Sequence, residues 1–358
     1  MGGQERMKRK LMMLGLITLL GATAFGADGE VAKDDTQKTI EELKAENETL
    51  KEKLASNVII AGEEGRPTEL IKQGEQKDEW QISARTYIER EDYELGSKDF
   101  GASENIMMFG TGINMVKGKW GYHINVEQRG TGHINSEGAD NQNTRVDYKI
   151  RYQATPKLGV HFKYRSERGT KKRSAWAAEQ NRNRDRIELG IDSSYQYLSG
   201  WFVVGHDVDS TMGAKNHGNY YEGDMGPTFQ LTEKFALKPS FYSTGEFYDN
   251  FDETMFDHQV RLMAIYQATE KLTIMPRIRY SLYRGVEENS YTYRYESDYR
   301  VRAELLAAYT INDQWSIDGG IAYDWQDRDY DYSKSGGDKS KMKNIDVFWY
   351  TLGVNYRF

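Results

Sequence analysis

The sequence predicts an all-β chain: an antiparallel transmembrane β-barrel of about fourteen strands, preceded by a short periplasmic helical or coiled-coil extension. Three observations carry this expectation. From Glu79 to Phe358, apolar and polar residues alternate with period two. The connections between the alternating segments are short and long by turns. The chain is also polar yet aromatic, with 38% hydrophobic and 13% aromatic residues, 25 of them Tyr.

The bulk numbers exclude other classes. A helical membrane protein needs runs of roughly 18 or more apolar residues. The longest apolar run, Leu11–Leu20, is shorter, and the mean hydropathy is −0.79. Disordered chains are poor in aromatics, and this one is not. The 48 basic and 55 acidic residues leave a formal charge of −7, so no nucleic-acid partner is expected. There is no Cys, which removes disulfides, thiolate catalysis and Cys-based zinc sites.

In chain order, residues 1–27 read as a secretory signal with the working start at Met7. Met7-Lys8-Arg9-Lys10 is basic, Leu11–Leu20 is apolar, and Ala22 to Ala27 is rich in small residues. A short membrane anchor is the alternative, but the apolar run is too short to span. Residues 28–56 contain a charged helical stretch. Ile40, Leu43, Asn47, Leu50 and Leu54 fall at heptad-like spacing, where Asn can fix register in a self-associating coiled coil. A single solvated helix fits the same pattern. Residues 57–78, with Gly, Pro and mixed charge, read as a linker. Residues 79–358 form the barrel.

Within the barrel, Arg145-Val146-Asp147-Tyr148-Lys149-Ile150-Arg151-Tyr152 shows the alternation most clearly. A strand gives such a segment one apolar and one hydrophilic face, whereas a helix would scatter both sets around its axis. The pattern recurs in Leu158–Arg165, Ile187–Tyr197, Leu272–Leu282, Arg300–Tyr309, Trp315–Trp325 and Asp346–Phe358. Short turns fall near Gly118, Pro156, Ser199, Glu233, Glu270 and Asp313. Long polar connections include Glu91–Glu104, Gly130–Gln142 and Arg328–Lys343. Short periplasmic turns and long outer loops are the asymmetry of outer-membrane barrels. The strands come out at about ten to thirteen residues, near the length a tilted membrane strand needs. A soluble β-sandwich would also alternate, but its strands average only about five or six residues.

Charge on the lipid face costs up to about 2–4 kcal/mol near the midplane, so the apolar set is assigned outward. Phe348, Tyr350, Leu352, Val354, Tyr356 and Phe358 then face lipid, and Trp349, Thr351, Gly353, Asn355 and Arg357 face inward. Trp120, Tyr152, Tyr197, Phe235, Tyr266, Tyr309 and Trp315 gather at the short turns as an interfacial girdle. Pro227, Pro239 and Pro276 belong at strand ends or bulges. Terminal Phe358 is the kind of ending that barrels present to their assembly machinery.

The terminal hairpin, Ala322-Tyr323-Asp324-Trp325-Gln326-Asp327-Arg328-Asp329 and then Gly353-Val354-Asn355-Tyr356-Arg357-Phe358, resembles the end of the OmpG-type outer-membrane porins. The turn Gln267-Ala268-Thr269-Glu270-Lys271-Leu272 is similar to theirs too. The resemblance covers Glu79 to Phe358. It implies a fourteen-stranded, monomeric, unselective pore for small hydrophilic solutes, including ions and sugars, in the outer membrane of a Gram-negative-type bacterium. The 28–78 extension departs from that pattern and would lie in the periplasm.

The parity rule assigns a pore lining. Arg145, Lys149, Arg151, Lys163 and Arg165, extended by Arg184 and Arg186, form one basic stripe. Arg261, Arg277, Arg279, Arg300 and Arg302 form another. Glu222, Asp224, Glu304, Asp318 and Asp324, with Glu188 and Asp192, supply inward acids. Such residues could draw anionic solutes, or could simply neutralise one another in a wet lumen. A barrel protease is one rival, with His206-Asp207 and Asp209 as the water-activating group. The other is an adhesin or cell-wall tether with a closed lumen. No enzyme activity, cofactor or metal is expected.

Overall fold

A computed structural model describes residues 59–61, 67–70, 79–95, 105–132, 140–172, 180–210, 215–248, 253–286, 294–331 and 339–358. The signal segment and the helical segment with Ile40, Leu43, Asn47, Leu50 and Leu54 lie outside the described residues. Within the stretch expected to be a linker, β1 (Ile59–Ala61) and β2 (Pro67–Leu70) pair antiparallel, Ile59 opposite Leu70. The β-branched Ile59-Ile60 favours extended backbone, so a short strand pair stands inside the stretch read as a linker.

The remaining strands are β3 (Gln81–Leu95), β4 (Asn105–Lys117), β5 (Trp120–Gly132), β6 (Asp140–Thr155) and β7 (Leu158–Lys172). They continue as β8 (Gln180–Tyr195), β9 (Leu198–Asp209), β10 (Asn216–Gly226), β11 (Phe229–Thr232) and β12 (Phe235–Tyr248). The wall is completed by β13 (Glu253–Gln267), β14 (Leu272–Val286), β15 (Arg294–Thr310), β16 (Trp315–Asp331) and β17 (Lys339–Arg357). From β3 to β10 and from β11 to β17 each strand pairs antiparallel with the next, β10 also pairs β12, and β17 pairs β3. The sheet is therefore a closed ring with no free edge.

β10 and β11 are one strand interrupted at Pro227. Met225 lies opposite Phe241 and Phe229 opposite Leu237, both on β12, with Pro239 between those partners. Proline lacks the N–H that a ladder needs, so both residues sit where pairing skips. Pro276 likewise falls where the β13–β14 ladder passes from Met263↔Arg277 to Tyr266↔Ile274. Counting β10 and β11 as one gives fourteen strands, as the sequence predicts.

Most strands run longer than expected. β15 and β16 each have 17 residues and β17 has 19. Segments expected to be loops, such as Gly130–Gln142, contribute paired strand ends. Neighbouring N–H and C=O groups go on satisfying each other beyond the stretch needed to cross hydrocarbon.

The two faces separate cleanly. Leu189, Leu282, Ile321 and Leu352 are each half or more exposed on the outside. Contiguous apolar exposure on that scale does not suit water, but a bilayer solvates it. The chain is a transmembrane β-barrel. At the short-turn rim Trp120 packs on Tyr152 with centroids 4.9 Å apart, and Trp315 on Tyr356 at 4.6 Å. This is the predicted girdle. Terminal Phe358 meets Tyr356 edge-on, and its N–H donates to the Ile82 carbonyl at 3.0 Å.

Local chemistry closes the short turns. Gly118 takes φ +57°, which suits a two-residue hairpin loop. Thr269 Oγ1 accepts from the Leu272 N–H at 3.0 Å, and Asn312 Oδ1 accepts from the Trp315 N–H at 2.9 Å. Gly200, at φ +142°, lies against β10 so closely that a Cβ would fall 1.8 Å from the Asp224 carbonyl oxygen.

Candidate functional site

The interior face is built by every second residue of the fourteen strands. All fifteen predicted lining residues fall on it, from Arg145, Lys149, Arg151, Lys163 and Arg165 round to Asp318 and Asp324. Most are buried among one another rather than bathed in solvent. The carboxylates that hold them are mostly one to three strands away around the ring.

On β14–β16, three guanidiniums converge on Glu304. Arg277 bonds it through Nε, Arg279 Nη2 lies 2.6 Å from Oε1, and Arg302 Nε donates at 2.7 Å. Arg302 also reaches Asp324 at 3.2 Å. Arg300 bridges Asp324 and Asp257, both at 3.1 Å. Neighbouring Arg261 donates to Asp224 at 2.7 Å and lies over the Tyr242 ring at 3.6 Å. Tyr242 in turn donates to Glu222 at 2.9 Å.

The other half of the wall repeats the arrangement. Arg145 Nε donates to Glu167 at 3.0 Å and Arg165 Nε to Asp147 at 2.7 Å. Lys163 Nζ sits 2.8 Å from Glu188, which also receives Tyr220 OH at 2.9 Å. Arg151 Nε donates to Asp192 at 2.8 Å. Arg85 on β3 reaches across β17 to Asp318 on β16 at 2.5 Å, and Asn355 on β17 donates to the same carboxylate at 2.8 Å.

The two basic stripes read from the sequence are therefore not stripes. Almost every arginine in them is interleaved with a carboxylate, the mutual neutralisation that the sequence allowed. Desolvating a cation is costly unless an anion meets it, so a packed interior selects pairs. Sequence reading missed Glu127, Asp147, Glu167, Glu246 and Asp257 as part of this lining. The same parity rule would have found them, because each lies an even number of residues from a predicted lining residue or its partner.

The His206-Asp207 pair is divided by the strand. Adjacent residues of β9 point to opposite faces. His206 is exposed on the outside, whereas Asp207 is buried inside. There Asp207 accepts from Arg184 and Arg186, both at 2.8 Å, and Arg186 reaches Glu246 at 3.0 Å. The geometry that would let the imidazole and this carboxylate act together is absent. No group of three or more potential metal ligands occurs among the described residues.

Two apolar patches interrupt the polar lining. Met263, Met275, Leu306, Ala322 and Trp349 pack together on β13–β17, and Trp201, Val203 and Tyr220 on β9 and β10. Arginines cap both: Arg302 over Trp349 at 4.9 Å and Arg186 over Tyr220 at 3.9 Å.

No family profile and no curated protein matches the sequence. Among solved structures, an in-vitro folded OmpT, an outer membrane protein of Vibrio cholerae, is similar at 10% identity, covering 78% of this chain and 98% of that one with a TM-score of 0.40. The CymD monoaromatic hydrocarbon channel is similar at 9% identity, covering 81% and 90%, TM-score 0.49. A Pseudomonas aeruginosa FadL homologue is similar at 9% identity, covering 78% and 90%, TM-score 0.48. At these values the likenesses go no further than general architecture.

Proposed function

We propose that this barrel is an outer-membrane porin, a passive channel for small polar solutes such as ions and sugars, of the OmpG-like kind. The observation that carries the proposal is the hydrophilic interior: charged and hydroxyl groups line the inward face from the short-turn side to the long-connection side. Such a lining offers hydrogen bonds to water and polar solutes, whereas the outer wall is mostly apolar. Pairing leaves little net field, so charge selectivity should be weak. Phe358 then serves the barrel-assembly machinery, the extension lies in the periplasm, and the chain catalyses no reaction.

A second reading is a channel for apolar solutes. The two inward apolar patches favour it, since they offer footholds that a purely polar lining lacks. The test is reconstitution of the purified chain in a planar bilayer with single-channel recording in salt. Discrete steps of stable conductance support the pore. A folded barrel without conductance would transfer the assignment to a tether or adhesin with a closed lumen. Block of the current by an aromatic hydrocarbon but not by sugars would favour the second reading.

A further inference from the structure

Among the described histidines, His206, His217 and His258 face outward, away from the charged interior. On β9 and β10 two of them form a pair. The rings of His206 and His217 stack with centroids 5.7 Å apart, and His217 Nδ1 lies 3.5 Å from His206 Nε2. Asn219 Oδ1 meets the other nitrogen of His206 at 3.0 Å. All three side chains are exposed. Among the described residues nothing meets His217 Nε2.

Height makes this pair unusual. His206 stands eight residues beyond Leu198, the short-turn end of β9. At ordinary strand rise and tilt that is about 20 Å, near the top of an apolar band about 25 Å tall. The pair thus sits at headgroup level in the leaflet on the long-connection side. Beneath it an outward groove of about 540 Å³ includes Leu189, Val204, Tyr221 and Phe247 in its lining, with His206 and Asn219 at its head. Pairing register sets Leu189, Val204 and Tyr221 one outward step nearer the short turns than His206. The nearest outward acid, Asp185, is occupied by Arg168 at 2.8 Å and by Tyr164 OH at 2.8 Å.

We infer that this groove holds one lipid of that leaflet whose head is an anionic phosphomonoester. Its phosphate would accept from His217 Nε2–H, with His206 Nε2–H donating to His217 Nδ1 and the Asn219 amide, turned to present its NH2, donating both to His206 Nδ1 and to the phosphate, and an acyl chain would lie along Leu189, Val204 and Tyr221. Three features of the site define that occupant. The wall is solvated by lipid, so what covers the groove is a lipid. Imidazole N–H and amide N–H groups are donors suited to an anionic oxygen. The polar head stands above the apolar trough, in the order that an amphiphile in that leaflet presents. The inference depends on the barrel spanning a membrane and not on whether it conducts.

The test is native mass spectrometry of the full chain in mild detergent with equimolar dimyristoyl phosphatidic acid and dimyristoyl phosphatidylcholine. Wild type should retain one phosphatidic acid with about tenfold preference, as charge-assisted hydrogen bonds to a phosphomonoester would give. His206→Gln with His217→Gln should abolish the preference, and Val204→Trp, which fills the trough, should reduce retention of the lipid. His258→Gln, outward but two strands from His217, should change neither. Folding of each variant is checked by heat-modifiable gel mobility. Equal retention of both lipids by wild type, or an undiminished preference in the double variant, overturns the inference. So does a Val204→Trp variant that keeps full retention while millimolar inorganic phosphate displaces the lipid, because that result describes a free-anion site.

Discussion

The inside and outside of this barrel are made from the same fourteen strands and solve opposite problems. Outside, Leu189, Leu282 and Leu352 tolerate exposure because lipid surrounds them, and single residues there need no partner. Inside, Glu304, Asp207 and Glu188 are each met by two or more cations or hydroxyls. The outer face is governed by what each residue is, and the inner face by whom it meets. An outer-face substitution should therefore act alone, and an inner-face substitution through its partners.

The largest expected effect is Glu304→Ala. It leaves Arg277, Arg279 and Arg302 crowded without their shared anion, and removal of one partner from a buried pair costs about 3–5 kcal/mol. Denaturant titration in lipid vesicles measures it. A loss below about 1 kcal/mol, the range of exposed pairs, would mean that the interior is wet enough to screen its charges. Leu352→Arg attacks the other face. At mid-height it should cost about 2–4 kcal/mol and impair assembly, read as loss of the heat-modifiable band. Unaltered assembly would sink the facing assignment.

Gly200→Ala belongs to neither face. The substitution meets an unfavourable φ and the Asp224 carbonyl, so a cost of about 1–3 kcal/mol is expected in the same titration. The last substitution is read in conduction and not in folding: Arg277, Arg279, Arg300 and Arg302 replaced together with Gln. It leaves Glu304, Asp324 and Asp257 as anions without these cations, so it destabilises the barrel as Glu304→Ala does. Reversal potentials should then move toward cation selectivity. Unchanged potentials would remove these residues from the conduction path.

The sequence revealed the faces better than the contacts. Period-two alternation in Arg145–Tyr152 fixes which side chains share a face, and every predicted lining residue lies on the inward one. The strand count followed from the alternation of short and long connections. What alternation cannot reveal is register between strands distant in sequence: Arg85 meets Asp318 across 233 positions. For that reason the sequence named the arginines and several of the acids, such as Glu304 and Asp324, without showing which of them meet. The His206-Asp207 pair misled for a related reason, since adjacency in a strand means separation in space. Strand length was underestimated because polar composition signals solvent, and solvated strands can pair as well as loops can.

The extra length of the strands bears on how a solute first meets the molecule. At ordinary rise and tilt, the 19 residues of β17 climb about 48 Å against a hydrocarbon layer of about 25 Å. Most of the excess lies on the side of the long connections and, with β9 only 12 residues long, raises the β15–β17 side of the mouth as a lip. Headgroup charge is screened over about 8–10 Å at physiological ionic strength. An ion arriving at that lip is therefore beyond the electrical reach of the membrane surface, and it senses the protein's own charges before those of the lipid.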